Sequence, residues 1–126
     1  MLPVFLIPET TVREAGSGLE FSLGANEGGV LILTLGITRI IENESLDISI
    51  WGSADGTDWG PRPIIAFPQK FYCGTYQIYL DLSDHPRVAY LRAKWQVNRW
   101  SRSDSRPLFT IYLFAETQPA LMAVGA

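Results

Sequence analysis

The alternation of apolar and polar positions along this chain has a period of two almost everywhere, which predicts strands rather than helices. Leu46–Gly52 alternates cleanly: Leu46, Ile48 and Ile50 point one way, and Asp47, Ser49 and Trp51 the other. Val88–Trp100 repeats the pattern, with Ala89, Leu91, Ala93, Trp95 and Val97 opposite Tyr90, Arg92, Lys94, Gln96 and Asn98. Thr75–Leu82 places Tyr76, Ile78, Leu80 and Leu82 on one face. Val30–Leu35 is a continuous apolar run suited to the centre of a sandwich, with Gly36 marking a bend before Ile37–Ile41. Leu19–Leu23, Ile64–Phe67 and Leu108–Ala115 read as further strands, and Pro3–Ile7 as an extended segment between two prolines. Asp55–Gly56 supplies a tight turn, and Ser83–Pro86 a turn or one helical turn.

No long helical period and no internal repeat interrupts this pattern. About eight short strands predict an all-β fold, an antiparallel β-sandwich of jelly-roll type. The 126 residues suit a single domain. Met1–Pro8 and Thr117–Ala126 are expected as extended apolar arms.

Composition narrows the functional classes. Net charge is −3, which disfavours a general nucleic-acid binder. The charge is uneven: residues 1–60 carry nine acids and two bases, and residues 61–126 carry eight bases and four acids. If the halves segregate in space, complementary faces would favour association between copies. A single cysteine, Cys73, forbids an intramolecular disulfide. The start is apolar but lacks the basic residues of a signal peptide, and no segment is long enough for a spanning helix. The expectation is a soluble protein, cytoplasmic as synthesised, with incorporation into a virion or other particle open to it.

Catalytic chemistry is sparse. His85 is the one histidine, and Cys73 lies in the aromatic string Phe71–Gly74, where a small buried hydrophobe is the simpler reading. Ser83, Asp84 and His85 are sequence neighbours, a spacing that does not build a relay. A zinc site would need further Cys or His ligands. Asp55 and Asp58 could offer oxygen to calcium, but Asp55 is explained by its turn. No metal or cofactor is expected, and the chain reads as a non-enzyme. The richest surface stretch is Arg92–Arg106, where Trp100 stands beside Arg99 and Arg102 and could anchor an interface or stack on a sugar.

The segment from Leu46 to Trp59 carries Ser53, Asp55, Gly56 and Trp59 in the order Ser-x-Asp-Gly-x-x-Trp. It resembles a hairpin of discoidin-like (coagulation factor 5/8 type C) jelly rolls and of many bacterial and phage surface β-modules. The resemblance covers about a tenth of the chain and implies the jelly-roll fold and a binding or assembly role; it carries over no ligand residue. The function expected from the sequence is a structural or interaction module that self-assembles or decorates a shell, filament or virion. The alternative is a carbohydrate-binding module using surface tryptophans. The candidate binding residues are Trp100, Arg99, Arg102, Trp59 and Phe5. The partner is another copy or another structural protein, with a glycan as the alternative.

Overall fold

A computed structural model describes residues 3–23, 28–40, 44–99 and 108–117. The strands are β1 (Val4–Val12), β2 (Gly16–Ser17), β3 (Phe21–Ser22), β4 (Val30–Ile40), β5 (Glu44–Ser53), β6 (Ile65–Ala66), β7 (Gly74–Asp81), β8 (Tyr90–Arg99) and β9 (Phe109–Thr117). A short 3-10 turn, Leu82–Asp84, follows β7. Every pairing is antiparallel. The first sheet has the order β1-β9-β4-β7, and the second β2-β8-β5-β6, with β3 also pairing with β8.

β2 and β3 bond the same flank of β8, at Trp95–Lys94 and Leu91–Tyr90, and so act as one interrupted strand. Eight strands then remain, and the first pairs with the last, the second with the seventh, the third with the sixth, and the fourth with the fifth. This is the connectivity of a long hairpin rolled upon itself, closed by β9–β4 in one sheet and β8–β5 in the other. It is a jelly roll, as the strand pattern predicts.

The core fills from both inner faces. Leu31, Leu33, Leu35 and Ile37 of β4 interleave with Phe109, Ile111, Leu113 and Ala115 of β9. From the other sheet come Leu46, Ile48 and Ile50 of β5 and Leu91, Ala93 and Val97 of β8. β4 and β9 pair with strands on both sides, which is where continuous apolar runs belong.

Three expectations change, and a fourth falls almost wholly outside the described residues. The amino-terminal segment is no free arm, because Val4–Val12 pairs along β9 and buries Leu6 and Ile7 in the core. Only Thr117 of the carboxyl-terminal arm is described, and it ends β9. Gly36 does not bend β4; the irregularity falls between Ile37 and Arg39. Gly36 is instead the seat of Tyr112, its partner on β9: a Cβ there would come within 2.0 Å of the tyrosine ring. We expect Gly36→Ala to swing the Tyr112 ring off the sheet at a cost of about 1 kcal/mol, with loss of that ring's ordered NMR contacts as the check. The strand Leu19–Leu23 shortens to Phe21–Ser22, and Leu19 is 84% exposed.

The topology also settles where the charge goes. β1 to β5 lie within residues 1–60 and β6 to β9 within residues 61–126. Both sheets alternate strands of the two halves. The acidic and basic halves are therefore interdigitated strand by strand, and the sequence asymmetry does not become an acidic sheet and a basic sheet.

Candidate functional site

The expected site residues fall on opposite faces. Trp59 lies over the outer face of the second sheet, and Phe5 on the outer face of the first. Arg99 ends β8 opposite Glu44. Trp100 and Arg102 lie outside the described residues.

On the second sheet the outward residues of β5 and β8 face each other in pairs, Trp51 with Arg92 and Ser49 with Lys94. Each described tryptophan on this face has a cation against its ring: the Lys94 ammonium is 4.3 Å from the centre of the Trp51 ring, and the Arg92 guanidinium 5.0 Å from that of Trp59. Trp51 Nε1 donates to Ser49 Oγ at 2.9 Å, and Glu20 lies 3.8 Å from Arg92. Trp95, from the inner face of β8, reaches the open end of the core; its indole packs on Gly16 and donates to the Glu14 carbonyl at 3.0 Å. Each of the three described tryptophans thus has a polar partner within the molecule.

Trp59 owes its position to the turn before it. Gly56 adopts φ of 81°, and the Asp55 carboxylate accepts from the Thr57 and Asp58 amides at 2.8 and 2.9 Å and from Ser53 Oγ at 3.0 Å. These donors, led by the Asp58 and Thr57 amides, hold the Asp55 carboxyl below its ordinary pKa. A depressed pKa supports the turn at every pH above the ordinary carboxylate range, and the support is lost as pH falls through the lowered value. The Thr57 and Asp58 amide shifts are therefore expected to stay constant until the pH drops below that range; a midpoint at the ordinary aspartate value would contradict the geometry. With its carboxylate committed to the turn, Asp55 is poorly placed to serve calcium. Among the described residues no three His, Cys, Asp or Glu side chains gather as a metal site.

Cys73 and His85 flank opposite ends of β7, separated by roughly 25 Å of strand, so they make no nucleophilic pair. Cys73 is exposed, contrary to its reading as a buried hydrophobe, because the loop before β7 turns it to solvent. Among the described residues no helix is long and apolar enough to cross a membrane.

The outer face of the first sheet is different. Phe5 pairs across β1 and β9 with Phe114, their rings 4.9 Å apart, and meets Tyr112 edge-on at 6.1 Å. This aromatic wall flanks a groove of about 720 Å³ whose floor is Thr34 and Gln77, bonded to each other at 3.2 Å. Glu9 and Glu116 line the groove, and among the described residues no cation does. Phe5 and Tyr79 are each about half exposed, at 51% and 55%. Sequence reasoning found Phe5 and missed Tyr112 and Phe114. The signal was present: β9 is apolar on both alternating faces, and a sandwich core can bury only one of them.

No protein-family model matches the chain, and no curated protein matches it.

Proposed function

We propose that this jelly roll is a non-enzymatic structural module that assembles with copies of itself or with another structural protein. The observation that supports this most is the outer face of the first sheet, where Phe5, Tyr112 and Phe114 line an open groove beside the half-exposed Tyr79. A solvent-facing sheet surface ordinarily carries charged and polar residues, and a contiguous aromatic patch is the composition of an interface core. The carbohydrate alternative draws less from the geometry, because Trp51 and Trp59 already have cations against their rings.

Phe5→Asp tests the reading. The ring is half exposed, so the substitution changes monomer stability by about 1 kcal/mol or less. At the centre of an interface a buried aspartate is expected to weaken association at least tenfold, measured by sedimentation velocity across a dilution series. Association unchanged by Phe5→Asp would remove this face from the interface. A saturable shift of tryptophan emission on titration with a glycan would favour the alternative.

A further inference from the structure

A β-sandwich has four sheet edges, and exposed edges invite pairing with other chains unless they are blunted. Three of the four are blunted here. β1 carries Pro8 and two irregularities in its register with β9. β2 and β3 are two residues each, and β6 is two residues. The fourth edge, β7, runs for eight residues in unbroken register with β4, from Ile37–Gly74 to Val30–Asp81, and contains no proline or lysine.

Hydrogen bonding fixes which groups of β7 face outward. The Leu82 amide donates to the Gly29 carbonyl at 2.8 Å, one step beyond the Val30–Asp81 pair. Hydrogen-bonded pairs alternate in an antiparallel ladder, so the even-numbered residues of β7 bond to β4. The N–H and C=O of Thr75, Gln77, Tyr79 and Asp81 then point away from the sheet. Among the described residues no backbone hydrogen bond outside the strand ladders reaches them. Their side chains are exposed on the outer face, and Gln77 also floors the groove.

Resting on the assembly reading, we infer that β7 is a homotypic contact: the β7 strands of two copies pair antiparallel about a twofold axis at Ile78, joining two four-stranded sheets into one of eight. The strand's own composition selects a second copy. This register sets outward residues opposite outward residues, Gln77 against Tyr79 and Thr75 against Asp81, and bonds all four in each copy. Gly74–Leu80 contains no charge, so self-pairing places no like charges opposite. The two Asp81 carboxylates end up roughly 20 Å apart, each beside a threonine hydroxyl. The aromatic grooves of both copies continue across one sheet.

The test is amide hydrogen exchange on the full chain along a concentration series, with sedimentation velocity on two edge variants. In the assembled state the amides of Thr75, Gln77, Tyr79 and Asp81 are expected to slow at least tenfold relative to the dilute monomer. Those of Tyr76, Ile78 and Leu80 are protected in both. Gln77→Pro removes an outward amide, at a position where proline is tolerated, together with the side-chain bond to Thr34. The double variant Gln77→Lys with Tyr79→Lys leaves the backbone alone and charges the seam. Each is expected to raise the dissociation constant at least a hundredfold while keeping the far-ultraviolet dichroism of the fold; if the proline variant does not fold, the lysine variant decides. Wild-type assembly with fast outward amides and unaffected variants would overturn the β7 contact and leave the assembly reading standing. Protection of these amides in a monomer would mean that the chain covers its own edge, which also overturns the contact. A wild type that never associates with itself would overturn the β7 contact and the self-assembly form of the reading, leaving assembly with another structural protein.

Discussion

Replacing Phe109 with alanine is expected to destabilise the protein by about 3–5 kcal/mol, a large share of the roughly 5–15 kcal/mol that holds a domain folded. Phe109 is fully buried and is the largest wholly enclosed side chain among the described residues. It opens β9, paired with Val12 of β1 on one side and Ile40 of β4 on the other. Three strands therefore meet at this ring, and their backbones are tied by ladder hydrogen bonds that resist collapse into the space it would leave. The cost is transfer free energy plus a cavity that cannot close. For a chain of this length it corresponds to a fall in Tm of roughly 10–20 °C. Urea unfolding at unchanged slope is the measurement, and a loss below about 1 kcal/mol would show that the ring does not fill the core.

Glu44 carries the second large effect, for a different reason. It is 1% exposed, at the start of β5 in the second sheet, and its Oε2 accepts the Leu108 amide at 2.9 Å, immediately before β9 in the first. The carboxylate thus links the two sheets beside Phe109. Glu44→Ala leaves a buried amide without this acceptor and opens a cavity, at an expected cost of about 2–3 kcal/mol. Removing the charge also removes its desolvation penalty, which limits the loss. Glu44→Gln retains an oxygen acceptor and should cost about half as much. Equal losses for the two variants would mean that charge, rather than the acceptor, matters at this position.

The two strands with the cleanest alternation, β5 and β8, were readable to the correct face because one face of each is buried and the other polar. Their pairing was not readable, since partners such as β1 and β9 lie about a hundred residues apart and share no local signal. Gly36 illustrates the same limit. A glycine in a strand suggests a bend, but the ring it accommodates belongs to Tyr112, which only the fold brings opposite. The charge asymmetry left open whether the halves separate in space, and the jelly roll interleaves them. Of the candidate residues, Phe5 belongs to the aromatic groove, whereas Trp59 lies against Arg92 on the other sheet. Tyr112 and Phe114 share their alternation with Thr110 and Glu116, so the outward side of β9 was marked, but the apolar character of both rings masked it.

The interleaved charges bear on how copies would associate. Contacts made by aromatic rings and backbone hydrogen bonds are only weakly screened by salt, unlike attraction between opposite charged faces. The most direct measurement is the mass of the wild-type chain in solution, by light scattering after size exclusion, across a concentration series at low and high salt. The account predicts a discrete species of an even number of 14.1 kDa chains that persists at high salt. A monomer of 14.1 kDa at every concentration and salt would contradict self-assembly.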